Sequence, residues 1–502
     1  MDFVVALFLN GAQCLAASLG DLDRMNPHNS RPSMKDMLDI KSVAIVGVSQ
    51  KLGYYWVHSM LQWKHDLNIW LVSKSGGEVL GKSILTDLNQ IPEDIDYAII
   101  AVPKKYVTEV FKQISAKGAK GATIFTSGFS ELGTAEGRDA EASLKELVLT
   151  STTRVLGPNC MGLCYPKLGF AFMPTAERGI GDIGFLSQSG GVAIATYTTG
   201  VESGLGFSKI FSFGNSIDIT PSEILRYYHD DKETKVVGAY IEGTKEGKEF
   251  YASIKELAVK KPIVVLKGGR SDEGSRAASS HTGALAGSRE IWDAVFKQAN
   301  IPTVRTLEEM VATLSVFSLC PPPKSANVGI VAISGGTSVI YTDLCIEQGL
   351  KVPRTSDGTI QKLDELIRDV GTGLGNPIDL AADYYNDSTM REVITLVGAE
   401  TNFDSIIIEA DVHNMHQVAS IMDAQDVLVD YWKAMAEEAR RIIDRQSKPV
   451  VVAIPEVAYP HARTAAWKVF VEHRIPVMRN ISEAVTAIAK VASYKERRDM
   501  LH

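Results

Sequence analysis

The 502-residue chain has few cysteines, five in all: Cys14, Cys160, Cys164, Cys320 and Cys345. They are scattered, odd in number and nowhere paired as CxxC. That excludes a disulfide framework or a zinc ribbon and fits a reducing cytoplasm. Positive charge is in short supply too: 52 Lys and Arg against 60 Asp and Glu leave a net charge of −8. A chain with that balance has neither nucleic acid nor an anionic membrane as its main partner. Long apolar runs are missing. The N-terminal "MDFVVALFLNGAQCLAASLG" is interrupted by Asn10 and Gln13 and opens with Asp2 instead of a basic cluster, so it is expected to be neither a bilayer span nor a secretory signal. It is expected to be a non-native start, with Met34 the real beginning, or a packing extension.

What remains is an ordinary globular composition, 45% hydrophobic and 22% charged, long enough for about three domains. Short β-branched runs such as "SVAIVGV", "DYAIIAVP", "KPIVVLKGG", "DSIIIEAD" and "KPVVVAIPE" alternate with helical stretches and end in Gly or Pro. This pattern indicates parallel sheets in several βα domains. Five landmarks recur in order: "GFLSQSGG", "FGNSID", "AYIEG", "KPIVVLKGG" and "NIPTVRTLEEMVATL" in one stretch, then "GIVAISGG", "LGNPID", "IIIEAD", "KPVVVAIPE" and "RIPVMRNISEAVTAI" in the next. Two copies of one open α/β domain therefore follow a different α/β domain. The expected boundaries are an extension at 1–37, a first domain at 38–173, the two copies at 174–318 and 327–502, and a Pro-rich linker at 319–326 around Pro321-Pro322-Pro323.

Each copy opens with a strand, a Ser-Gly-Gly turn and a helix: Ser189-Gly190-Gly191 and Ser334-Gly335-Gly336. Such turns let backbone N–H groups close on an anion at a helix N-terminus carrying roughly half a positive charge. A single one is most often just a tight βα turn; two homologous ones favour phosphate. The first domain begins "SVAIVGVSQKLG", with Gly47, Ser49 and Gly53 after a strand, and its second strand ends at Lys74 in place of an acid. A basic residue there suits a phosphorylated ribose, as in NADP or coenzyme A, and disfavours NAD. "GGEVLGKS", Gly76 to Ser83, matches the P-loop pattern, but no substantial helix can follow before Ile91-Pro92, so the match is taken as accidental.

His281 stands in "ASSHTGALAG", where side chains too small to build a core leave the imidazole accessible. Neutral imidazole can accept and return a phosphoryl group if helix ends stabilise the anion and an acid orients the far ring nitrogen. Glu242 in "AYIEG" is the candidate acid. His413 and His416 have HxxH spacing but are more often surface or pocket lining than metal ligands, and His461 is expected to be structural. Cys160 has nothing nearby to lower its pKa and is expected to be a packed thiol.

Together, "SVAIVGVS", "IIAVP", "SGFSELG", "LGPNCMGL", "GFLSQSGG", "FGNSIDI", "AYIEG", "KKPIVVLKGGR" and "ASSHTGALAGS" resemble the NDP-forming acyl-CoA synthetases, relatives of succinyl-CoA synthetase, from about residue 38 to 495. The resemblance implies an α/β fold: a Rossmann-like CoA-binding domain, then two flavodoxin-like domains of the succinyl-CoA synthetase type with parallel sheets. It makes His281 the phosphohistidine and Glu242 its stabilising acid, with phosphate held at the turns of Ser189 and Ser334. CoA would lie along Gly47, Ser49, Lys74, Val102, Pro103, Ser127, Gly128 and Asn159. The implied activity joins a carboxylic acid to CoA at the expense of ATP, giving acyl-CoA, ADP and phosphate through an acyl phosphate. The family's ATP-grasp domain is not among the three domains, so ATP, ADP and Mg2+ are expected on a separate ATP-grasp β subunit, in an α2β2 assembly, with no metal held by this chain. Two departures bear on specificity. Tyr54, Tyr55 and Trp56 replace the family's Gly-rich run near the expected thiol, and "ISGGTSV" replaces the usual start of the second copy; both point to an acid other than acetate. The competing expectations are a non-catalytic CoA-binding regulator and, more remotely, an NADP-linked oxidoreductase.

Overall fold

The β-branched runs become strands buried on both faces. The computed structural model, which describes residues 31–271, 273–274, 288–367, 372–455 and 458–500, arranges them in three sheets. The first holds β1 (Ser42–Val46), β2 (Asn68–Val72), β3 (Glu78–Val79), β4 (Lys82–Leu85), β5 (Tyr97–Ile100), β6 (Gly121–Ile124) and β7 (Arg154–Leu156), in the order β3-β4-β2-β1-β5-β6-β7. Only β3 and β4 pair antiparallel, so the P-loop look-alike Gly76–Ser83 is a hairpin with Val79 opposite Lys82, and only the three-residue 3-10 turn Leu88–Gln90 follows, too short to hold phosphate. The strand order reverses direction at β1, which opens a crevice at the carboxyl ends of the strands.

The second sheet contains β8 (Gly162–Cys164), β9 (Ile180–Ser187), β10 (Phe207–Ser212), β11 (Val236–Ile241), β12 (Ile263–Lys267) and β13 (Thr303–Val304), ordered β13-β12-β11-β9-β10-β8. The third contains β14 (Val328–Ala332), β15 (Ile378–Asp379), β16 (Ser405–Glu409), β17 (Val450–Ala453) and β18 (Val477–Met478), ordered β15-β14-β16-β17-β18 and parallel throughout. In both copies the strand that opens the repeat lies beside the strand bearing the glutamate, β9 by β11 and β14 by β16. Pro321-Pro322-Pro323 stand between the helix Leu307–Leu319 and β14. Among the described residues no helix is long and apolar enough to cross a membrane.

The chain divides into two compact units. Among the described residues, one is built from 31–57, His65–Cys160 and Asn215–Ile219; the other from His58–Lys64, Met161–Gly214 and those from Thr220 on. Apart from Asn215–Ile219, both copies of the repeat thus fall in one unit, and residues 161–173, expected in the first domain, lie with the second, where β8 pairs antiparallel with β10. The short Asn215–Ile219 segment supplies Ile217 to the apolar core formed by Ala44, Ile100, Phe111, Ile124 and Val155. Its neighbour Asp218, with a side chain 3% exposed, accepts from Arg31 at 2.8 Å, from Arg154 Nε at 3.1 Å and from the Val155 amide at 2.7 Å.

Removing one member of a buried ion pair leaves its partners uncompensated. Asp218→Ala is therefore expected to destabilise the first unit by about 3–5 kcal/mol, read as a lowered denaturant midpoint. The same change at the exposed Asp230 serves as the control and is expected to leave the midpoint close to the parent's.

Candidate functional site

In the first unit, the carboxyl ends of the strands open into a cavity of about 1010 Å3. Gly47, Ser49, Lys74, Val102, Pro103, Ser127 and Asn159 all line it. Gly128 stands behind the wall, its amide donating to Glu131 Oε1 at 2.5 Å. Gly47 has φ +99°, and a Cβ there would meet the Ala101 carbonyl oxygen at 2.4 Å, so only glycine lets β1 and the chain after β5 close at the cavity floor. At the β2 side the Lys74 ammonium lies 4.9 Å from the centroid of Tyr106, an aromatic face beside a fixed positive charge. Farther along, Phe125 forms part of the lining and stacks edge-to-face on the buried Trp56 at 5.4 Å. Of the three aromatics noted in the sequence, Trp56 therefore backs this end of the cavity. Cys160 is buried beneath it and donates to the Ile124 carbonyl at 3.8 Å, a packed thiol as expected.

In the second unit, three strand ends converge. After β9 the Ser189 side chain caps the helix Gly190–Glu202 by accepting from the Val192 amide. Gln188, just before that turn, accepts through Oε1 from the amides of Glu242 at 2.9 Å and Gly243 at 3.1 Å. The phosphate-type turn and the candidate acid are thus locked together. Glu242 is 5% exposed. Its Oε1 accepts from the Tyr240 hydroxyl at 3.0 Å, while Oε2 is buried with no hydrogen-bond partner among the described residues. At the end of β12, Lys267 donates to the Glu242 carbonyl at 2.7 Å and to the Gly268 carbonyl, with its ammonium 5.1 Å from the Trp292 ring centroid. Burial pushes the Lys267 pKa down to about 8; the nearby Arg270 pushes the same way and the Glu242 charge opposes them. The chain beyond Gly268 leads to His281, which itself lies outside the described residues.

The second copy repeats this arrangement with altered chemistry. Glu409, at the end of β16, is 6% exposed; Oε1 accepts from Tyr341 at 2.5 Å and Oε2 is again buried without a hydrogen-bond partner among the described residues. Ser334, Thr337, Glu409, Asp411, His413 and Asn414 line a pocket there. Burial raises the Glu409 pKa, helped by Asp411 and Asp379 and opposed by the Tyr341 hydroxyl and the Ile333 amide. The helix ends differ. Ser334 makes no side-chain cap, and a Cβ on Gly335 would lie 3.2 Å from Asp379 Oδ2, whereas a Cβ on Gly190 would meet the Met161 side chain. A carboxylate thus already faces the second turn.

Glu409 was not singled out from the sequence, although the alignment of "AYIEG" with "IIIEAD" carries the signal. Gln188 and Lys267 were also missed. His413, His416 and His461 gather around Tyr459, with His416 4.5 Å from it and 5.1 Å from His461, centroid to centroid. Among the described residues no three His, Cys, Asp or Glu side chains are grouped to hold a metal ion.

A crevice with a basic rim at a strand-order reversal, joined in sequence to a flavodoxin-like sheet with a buried acid beside a helix N-terminus, defines a CoA-ligase type of architecture. The sequence comparisons agree. Residues 41–166 match the CoA binding domain and residues 180–317 the succinyl-CoA ligase like flavodoxin domain. The chain is 34% identical over 360 residues to subunit alpha of the ADP-forming acetate–CoA ligase II of Pyrococcus furiosus, covering 70% of this chain and 78% of that one. It is 32% identical over 483 residues to the ADP-forming acetate–CoA ligase II of Archaeoglobus fulgidus, covering 93% of this chain and 68% of that one. A solved structure of the Ca. Korarchaeum cryptofilum dinucleotide forming acetyl-coenzyme A synthetase 1, in complex with phosphate and ADP, matches with a TM-score of 0.77 at 25% identity, over 94% of this chain and 97% of that one. The chain belongs to the NDP-forming acyl-CoA synthetase family.

The depressed Lys267 pKa has a stability consequence. Between about 8 and the ordinary lysine value of 10.5 the unfolded chain holds this proton while the folded chain has lost it, so stability rises with pH across that window. The stability of the wild type relative to Lys267→Met, from denaturant midpoints, should therefore increase between pH 7 and pH 9.5. A difference that does not change with pH contradicts the assignment.

Proposed function

We propose that this chain is the α-type subunit of an NDP-forming, ADP-producing acyl-CoA synthetase, working in the cytoplasm with a separate ATP-grasp β subunit in an α2β2 assembly. The observation that carries the reading is the unmet oxygen of Glu242. A buried carboxylate oxygen without a donor is costly unless a partner completes it. A ring N–H of His281, in the chain beyond β12, is the partner the sequence supplies. Held by Glu242 through one nitrogen, the imidazole presents the other as a nucleophile.

The chemistry follows in three transfers. Carboxylic acid, ATP and CoA become acyl-CoA, ADP and phosphate. The γ-phosphoryl group of ATP passes to His281 and ADP leaves; ATP and Mg2+ sit on the β subunit, and this chain contributes no metal ligand. The phosphoryl group then passes to the carboxylate, giving an acyl phosphate. Attack by the CoA thiol releases phosphate. The helix end at Ser189, Gly190 and Gly191 is the better placed phosphate site, because at Ser334, Gly335 and Gly336 the Asp379 carboxylate shares the helix end and the incoming anion must contend with it. CoA spans the cavity of the first unit, its phosphorylated ribose at Lys74 and its thiol toward Ser127 and Asn159. The Trp56–Phe125 wall beside that end supports an acid other than acetate.

Two measurements test this. With a co-expressed ATP-grasp partner and a panel of acids, the complex should form acyl-CoA and ADP together. Glu242→Gln should lower kcat on the order of ten-thousandfold, as when the residue orienting a catalytic imidazole is neutralised. Acid-independent CoA binding with no ADP formation across the panel would instead make the protein a non-catalytic CoA binder. Separately, Lys74→Ala should raise the Kd for CoA about tenfold, the loss of one charge-assisted contact, while 3′-dephospho-CoA changes by less than about twofold. Equal losses would move the ribose phosphate elsewhere.

A further inference from the structure

A cavity that presents a thiol for attack must have its far wall fixed, because misplacing a reacting atom is costly. The strand order puts Lys74, after β2, at one end of the first unit's cavity. Ser127, after β6, and Asn159, after β7, stand at the other. Behind that second end lie two carboxylates with a single amide between them. Asn215 Nδ2 donates to Glu131 Oε2 and to Glu141 Oε2, each at 2.6 Å. A primary amide has two N–H protons, so both bonds form at once. Each acid anchors one piece of the wall. Glu131 Oε1 accepts from the amides of Gly128 and Phe129, holding the turn after Ser127, and Glu141 Oε2 accepts from Ser130 Oγ at 2.6 Å. Asn159 donates to Asn215 Oδ1 at 3.4 Å, which brings the β7 side of the wall to the same amide.

Asn215 is itself buried, 5% exposed. Burial raises the Glu131 pKa, yet the bonds from Asn215 and from the Gly128 and Phe129 amides outweigh it and hold the carboxyl below its ordinary value. Without the amide, two neighbouring carboxylates would face each other and push the Ser127 turn off its anchor.

We propose that Asn215 is a positioning residue for the thiol end of bound CoA: it touches no substrate, and acts by clamping Glu131, Glu141 and Asn159. This rests on the reading of the cavity as the CoA site. The test is calorimetric titration of the full chain with CoA and with adenosine 3′,5′-bisphosphate, which carries only the adenosine end. Asn215→Ala should raise the Kd for CoA about tenfold, the loss of hydrogen bonds to charged groups, and leave the bisphosphate within about twofold. The bisphosphate also reports that the unit is folded. Glu131→Gln gives a second route to the same signature, because its amide sets a donor against either Asn215 or the Gly128 and Phe129 amides. The proposal is overturned if both variants bind CoA like the wild type, or if CoA and bisphosphate weaken by the same factor. If the wild-type chain binds neither ligand, the CoA reading itself fails and takes the proposal with it.

Discussion

The structure depends on a buried carboxylate that its surroundings leave half satisfied. Glu242 sits at a strand end, one oxygen on Tyr240 and the other without a hydrogen-bond partner among the described residues. Nothing in packing alone favours that arrangement, since a buried acceptor without a donor costs about 1–3 kcal/mol. The surrounding groups nonetheless hold it in place. Gln188 fixes the backbone on one side and Lys267 the carbonyl on the other. Under the proposed function, that unmet oxygen is the position an imidazole N–H would complete.

The duplication shows how one framework can be turned to two ends. Each copy carries a buried glutamate bonded to a tyrosine, and each carries an aspartate from the landmark "NSID" or "NPID". In the first copy that aspartate, Asp218, is taken into an ion pair with Arg31 and Arg154, and the segment around it joins the first unit. In the second, Asp379 stays at its own helix end. The same five landmarks thus yield one helix terminus facing the Met161 side chain and another facing a carboxylate, with Glu409 beside it raised toward its neutral form by burial. Equivalent positions in a repeat do not carry equivalent chemistry.

Much of this was legible in the chain. Strand runs, the repeat and the βα turns report on local conformation, so Gly47, Ser49, Lys74, Val102, Pro103, Ser127 and Asn159, which follow strands in the sequence, could be expected at one cavity, while Gly128 falls outside its lining. The Gly76–Ser83 match was recognisable as accidental because the helix a P-loop requires had no room, and the hairpin bears that out. The polar clamps were not legible. Asn215 meets Glu141 across 74 positions and Glu131 across 84, and no periodicity links such residues. The boundary between units was missed for the same reason: a five-residue segment leaves its own copy to fill another core, a choice made by burial of Ile217 and Asp218 and not by local propensity.

These elements make one claim about chemistry: a phosphoryl group resides on one particular imidazole of this chain. The direct test is to phosphorylate the complex with ATP in the absence of acid and CoA, then map the acid-labile, base-stable label by mass spectrometry among the chain's 10 histidines. The account predicts the label on His281 and its loss in His281→Ala. A label of the same lability that persists in His281→Ala, or that maps to His413, His416 or His461, would contradict it.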